Sequence, residues 1–181
     1  MRPSEPSSSA GRYDLVPVST PEQWSTYHAI RLAELFEAHG NGALYDPDHP
    51  DEHRPDHFPL LLKLDARPIG ATRVDLVAPG VASFRGVAIM RPEQHHGHGR
   101  ILNERSEAFA RARGARKIVV NAHPTAVGYW ERLGFVRESF NPAELVGAAA
   151  VWRICCAACT KLKVWNGSVC SISIRPRSIA N

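Results

Sequence analysis

The chain has 181 residues, 44% hydrophobic and 22% charged, the balance of a soluble globular protein with a single core. Its net charge of +4 is local: residues 146–181 hold Arg153, Lys161, Lys163, Arg175 and Arg177 and no acid, while the first 145 residues hold 17 basic and 18 acidic side chains. A body so close to neutral shows no basic stripe for a nucleic acid, and no apolar run approaches the roughly 20 residues of a membrane span.

Residues 1–11, rich in serine and proline, read as a disordered lead-in. They lack the apolar middle of a secretory signal, so a cytoplasmic location is expected. Tyr13–Val18 reads as a strand. Thr20, Pro21 and Gln23 then spell a capping box with proline at the first helical position, and Trp24, Tyr27, Ile30, Ala33 and Phe36 recur at helical spacing, predicting a helix over 21–38 whose aromatic side chains belong to the core. The stretch from Tyr45 to Phe58 carries three prolines, five acids and three histidines, and reads as a loop. A hairpin follows around Ala66–Pro68, then a third strand, Val81–Met90. From Ile101 the pattern is helical, with Leu102, Ala108 or Phe109, and Ala112 on one face, Glu107 paired to Arg111, and Gly114 as the stop. Lys117–Ala122 reads as a buried strand, Pro124–Gly134 as a short helix and Phe135–Phe140 as a closing strand.

Residues 12–146 thus form one α/β domain, a mixed sheet with flanking helices. Residues 147–181 change character and read as an atypical basic tail with one strand-like run, Val151–Val164, a candidate edge strand. All four cysteines lie there, and Cys156-x-x-Cys159 lacks the second pair that a zinc site needs.

The segment that decides function is "RPEQHHGHGRIL", at the junction of the third strand and the following helix. A helix start presents backbone N–H groups without intrahelical partners and the positive end of the helix dipole, and so receives anions. Gly97 and Gly99 leave those amides bare, and Arg100 adds charge at the rim. Gly99 is not followed by Lys-Ser/Thr, which excludes the NTP-binding loop, and Leu102 stands where a dinucleotide fingerprint needs a third glycine. What remains is a diphosphate on a turn running from Gln94 to Gly99. The alternative, metal binding by His95, His96 and His98, lacks carboxylate or cysteine partners to complete a ligand set, so no metal is expected.

"VAIMRPEQHHGHGRIL", together with "VNAHPTAVGYWERLGF", resembles the GNAT N-acetyltransferase superfamily over about Arg12 to Phe140. The resemblance implies a mostly antiparallel central sheet, the GNAT-like acyl-CoA transferase fold, and acetyl-CoA as co-substrate. It implies that backbone N–H groups of Gln94, His95, His96, Gly97, His98, Gly99 and Arg100 hold the diphosphate. The pantetheine arm would pair with Val87, Ala88 and Ile89 between two splayed strands, and Asn121 would hydrogen-bond the cofactor. An amine would attack the thioester directly in a ternary complex, an N–H near Val87–Ile89 steadying the oxyanion. The acceptor would be a small-molecule or peptide amine, with neither nucleic acid nor membrane as partner; a homodimer is compatible with this.

The family's acid is the tyrosine four residues before the glycine of its Y-E-x-L-G-F motif. Here that position is Trp130, and Tyr129 lies one residue earlier, about 100° round the helix. Tyr129 is the candidate acid, with water as the alternative proton source. Candidates for the base are Glu93, a carboxylate of the Asp46–Asp56 loop, His49, His53 and His57. A second reading keeps the scaffold as a CoA binder with little activity.

Overall fold

The structure is a computed structural model and describes residues 11–122, 124–139 and 170–174. Its strands are β1 (Tyr13–Pro17), β2 (His57–Leu64), β3 (Arg67–Ala78), β4 (Val81–Ile89), β5 (Lys117–Asn121), β6 (Phe135–Ser139) and β7 (Cys170–Ile174). Its helices are α1 (Pro21–Arg31), α2 (His98–Arg111) and α3 (Val127–Arg132). They build one sheet in the order β1-β2-β3-β4-β5-β7-β6, with β4 and β5 parallel and the other neighbours antiparallel. This is the mixed, mostly antiparallel sheet that the sequence predicts.

Local chemistry explains the connections. Asp65 and Ala66 link β2 to β3 with both φ angles positive, as the mirror-image turns of tight hairpins require. Between β3 and β4, Pro79 is followed by Gly80 at φ +74, the pairing that a type II turn favours. The third connection must return the chain to the same end of the sheet, because β4 and β5 are parallel, and α2 provides that crossover.

Apolar residues of alternate parity face opposite sides of the sheet. On one side Leu60, Val74, Phe84, Val120, Trp130 and Phe135 pack under α2 and α3. On the other, Leu61, Ala71 and Ala88 meet Tyr27 and Ile30 of α1.

Four expectations need correction. The regular part of the first helix stops at Arg31 and continues as a wider π turn, Leu32–Phe36, and a 3-10 turn, Glu37–His39, before Gly40 at φ +72 ends it. Tyr27 of its aromatic stripe is buried, whereas Trp24 and Phe36 are half-buried. The second helix starts at His98 and buries Leu102, Asn103, Ser106 and Ala110, leaving Ala108 and Ala112 exposed. Ser106 is tolerated inside because its hydroxyl donates to the Leu102 carbonyl at 2.7 Å. The strand of the C-terminal region is Cys170–Ile174, and it lies between β5 and β6 rather than at an edge. The run Val151–Val164, the cysteine pair and residues 1–10 lie outside the described residues. Among the described residues no helix is long and apolar enough to cross a membrane.

Trp130 is 4% exposed and joins α3 to the sheet core through Phe135, their rings 4.9 Å apart. Trp130→Ala is expected to cost about 3–5 kcal/mol, measured as a lower urea midpoint with an unchanged m-value.

Candidate functional site

The site begins where two strands part. β5 pairs with β4 only from Val81↔Lys117 to Phe84↔Val120. Beyond that, β4 runs on to Ile89 with no partner on this edge among the described residues. Its other edge explains the divergence. Between the pairs Ala71↔Ala88 and Arg73↔Arg85, β4 holds one more residue than β3, a bulge centred on Gly86 at φ +57. A bulge bends its strand and ends regular pairing. Glycine is required there twice over, for the positive φ and because a Cβ would lie 2.9 Å from Arg31 Nε. The backbone of Val87, Ala88 and Ile89 therefore has no strand partner on this edge among the described residues, and Asn121, the last residue of β5, lies one step past the final pair.

The chain leaves β4 through a 3-10 turn, Arg91–Glu93, and reaches α2 through Gln94–Gly97. Gln94 serves here through its side chain, whose Nε2 donates to the Ile89 carbonyl at 2.8 Å and to Glu34 at 3.0 Å. Glu34 also accepts from the Arg91 amide at 2.7 Å, so the first helical segment buttresses the turn.

The amide of Gln94 bonds to Arg91 O at 3.3 Å and that of Arg100 to Gly97 O at 3.1 Å. Those two are engaged, contrary to expectation; the amides of His95, His96, Gly97, His98 and Gly99 take no backbone acceptor among the described residues. His95 at φ +66 and Gly97 at φ +84 turn the backbone sharply into α2, whose start is the positive end of the helix dipole.

The three histidines differ in burial. His95 and His96 are exposed, whereas His98 is buried and turned inward. Its Nδ1 lies 2.7 Å from Tyr13 Oη and its Nε2 3.5 Å from Glu93, which Arg67 holds at 2.8 Å. His98 therefore has only its main chain to offer an anion. Arg100 pairs with Glu104 at 2.9 Å on the surface. Among the described residues no three histidine, cysteine or acidic side chains converge to hold a metal.

The one-residue offset in α3 has a clear result. Trp130 fills the core, and Tyr129 turns toward α2, its hydroxyl 3.0 Å from the point where a Cβ on Gly99 would stand. That hydroxyl is buried without a hydrogen-bond partner, a condition that costs about 1–3 kcal/mol. Burial pushes its pKa up to about 12, so it stays protonated at neutral pH.

On the α1 side of the sheet lies a buried ionic cluster that the sequence does not announce. Glu52 accepts from Arg31 and Arg73, each at 2.7 Å, and from Tyr27 Oη at 3.0 Å. Arg73 also grips Asp75 with two bonds, 2.7 and 3.0 Å, and Arg85 Nε stands 3.5 Å from the same carboxylate. His57 Nδ1 donates to the Asp51 carbonyl at 2.5 Å, which leaves Nε2 facing Asp75 at 3.8 Å and Asp56 at 3.9 Å. Burial alone would raise the pKa of Glu52, but the two guanidinium charges and their hydrogen bonds outweigh it and hold the carboxyl below its ordinary value. The cluster pins the proline-broken loop to the sheet beside the bulge. Of the other base candidates, His53 lies tilted against the Trp24 ring, centroids 4.8 Å apart, and His49 accepts from the Asp51 amide at 3.2 Å.

Comparison with known proteins bears on the family and the fold. The sequence profile described as the acetyltransferase (GNAT) family matches residues 17–135. Tetrahymena GCN5 superposes with a TM-score of 0.60 at 16% identity, covering 90% of this chain and 94% of its own. An acetyltransferase from Thermus thermophilus gives 0.58 at 23%, covering 72% and 90%. The PaiA N-acetyltransferase of Thermoplasma acidophilum, solved in complex with coenzyme A, gives 0.60 at 11%, covering 91% and 99%. At such identities the likeness is one of fold. No curated protein matches the chain in sequence.

Glu52→Gln leaves two buried guanidinium groups short of a charge and is expected to destabilise the fold by about 3–5 kcal/mol. Glu52 titrates lower in the folded chain than in the unfolded one. Its contribution is therefore complete above its ordinary pKa of 4.5 and fades as pH falls below that value. Denaturation midpoints measured from neutral to acid pH should show this loss in the wild type and a flatter profile in the variant.

Proposed function

Because the chain belongs to the GNAT family of acetyltransferases, we propose that it transfers the acetyl group of acetyl-CoA to a primary amine by direct attack in a ternary complex. One observation carries the reading: the amides of His95–Gly99, without backbone acceptors among the described residues, open α2 shortly after the unpaired edge of β4. An extended thioester arm ending in a diphosphate fits both features together.

The residues divide the work by position. The amides from His95 to Gly99 hold the diphosphate, and the backbone of Val87–Ile89 pairs with the arm as an added strand. An N–H of that same edge aims at the carbonyl oxygen and stabilises the charge that develops there. Asn121 hydrogen-bonds the arm from the end of β5. One face of the sheet is closed by α2 and α3, so the amine enters from the α1 side. There the loop carrying Asp46, Asp48, Asp51 and Asp56 favours an ammonium group and passes its proton to water. A thiolate leaves readily, since ordinary thiols titrate near about 8.5, and solvent supplies its proton. Binding and orientation then account for most of the catalysis.

The core position of Trp130 favours a second reading, a CoA-binding protein of low activity, since the family's acid position is filled by an indole. Calorimetric titration with acetyl-CoA followed by a thiol-release screen over classes of amine separates the two: stoichiometric binding with no release for any amine selects the second. Gly99→Glu is expected to abolish acetyl-CoA binding, because its side chain meets the Tyr129 hydroxyl and its charge opposes the diphosphate. Undiminished affinity in that variant overturns both readings.

A further inference from the structure

The hydroxyl of Tyr129 is fixed from two sides. Its ring packs edge-on against Trp130 at 5.2 Å, and the oxygen reaches the first turn of α2 at Gly99. There it stands beside the last of the amides that take no backbone acceptor. One turn further along α2, Asn103 is 2% exposed with its Oδ1 unpartnered, its amide nitrogen being given to Glu107 at 2.9 Å. The mouth of α2 thus gathers a phenolic O–H and a run of backbone N–H groups, all donors, with no acceptor offered to them by the backbone.

Building on the acetyl-CoA reading, we propose that Tyr129 is a cofactor-binding residue: its hydroxyl donates a hydrogen bond to a diphosphate oxygen seated on the His95–Gly99 amides, in place of the acid role that the family pattern suggests. The offset of one residue supplies the cause. It sends Trp130 into the core and turns the tyrosine about 100° away, toward the first turn of α2 at Gly99. A protonated phenol suits this task, since it adds a strong donor for an anion without burying another cation. A Cβ at residue 99 would stand 3.0 Å from that hydroxyl and press it out of its present position. The rival occupant is a buried water bridging Tyr129 and Asn103 Oδ1.

Calorimetric titration of CoA, the free thiol, into the wild type and Tyr129→Phe, with phosphorus NMR of the bound CoA, decides between them. The variant should bind about tenfold or more weakly, as loss of a hydrogen bond to a charged group implies. Its diphosphate resonances should move while the ribose phosphate resonance stays, and its apo form should melt no lower than the wild type. Equal affinities with coincident diphosphate resonances overturn the assignment and leave the water as occupant. A wild type that leaves CoA unbound overturns this assignment and the acetyl-CoA reading together, whereas a wild type that binds CoA no more tightly than Tyr129→Phe overturns this assignment alone.

Discussion

Everything at the site follows from a pairing that stops halfway. β4 and β5 are held together for four residues and then separate, because the inserted Gly86 swings β4 out of the plane in which β5 could follow it. A sheet edge in the middle of a protein is normally a liability, a row of unsatisfied N–H and C=O groups that invites pairing with another chain. Here the edge is short, and the strand that carries it leads without interruption into the helix whose first amides are also unsatisfied. The two sets of orphan groups are neighbours along one stretch of backbone. A single long ligand, polar at one end and peptide-like in the middle, would satisfy both.

The opposite side of the sheet is built on another principle. Arg31, Glu52, Arg73 and Asp75 are all nearly buried, and such clusters cost desolvation that hydrophobic residues of similar size would avoid. What the cluster supplies is position. Arg31 reaches from the end of α1 to the bulge, Glu52 from the loop, Arg73 and Asp75 from β3. Three separately coded segments are thereby locked to one another around the point where β4 bends. Apolar contacts, which have no preferred direction, would fix that arrangement less sharply.

How much of this is legible in the sequence depends on whether the signal is local. The capping box of α1 is, and Gln23 and Thr20 exchange both of the expected bonds. The glycine pair is, since the need for bare amides is written in two residues one apart. The ionic cluster is not: Glu52 lies 21 residues from both Arg31 and Arg73, and each reads on its own as an ordinary surface charge. The buried face of α2 is hidden because Asn103 and Ser106 look polar on paper, while inside they spend their donors on Glu107 and the Leu102 carbonyl. The bulge does leave a trace, a lone glycine within a strand pattern, but its meaning emerges only once Arg31 is seen to occupy the space beside it. Likewise "CSISI" alternates as a strand should, yet nothing nearby in the chain says which neighbours it joins.

That last strand has a consequence for how the chain reaches its final form. β7 is wedged between β5 and β6, so β6 finds no hydrogen-bonding neighbour in the sheet until residues 170–174 arrive. During synthesis the half of the sheet from β1 to β4 is complete early, whereas β5 and β6 must wait, each with an open flank, for a segment made much later. An edge left open while its partner is still to come is where a partly folded chain is exposed to pairing with the wrong neighbour.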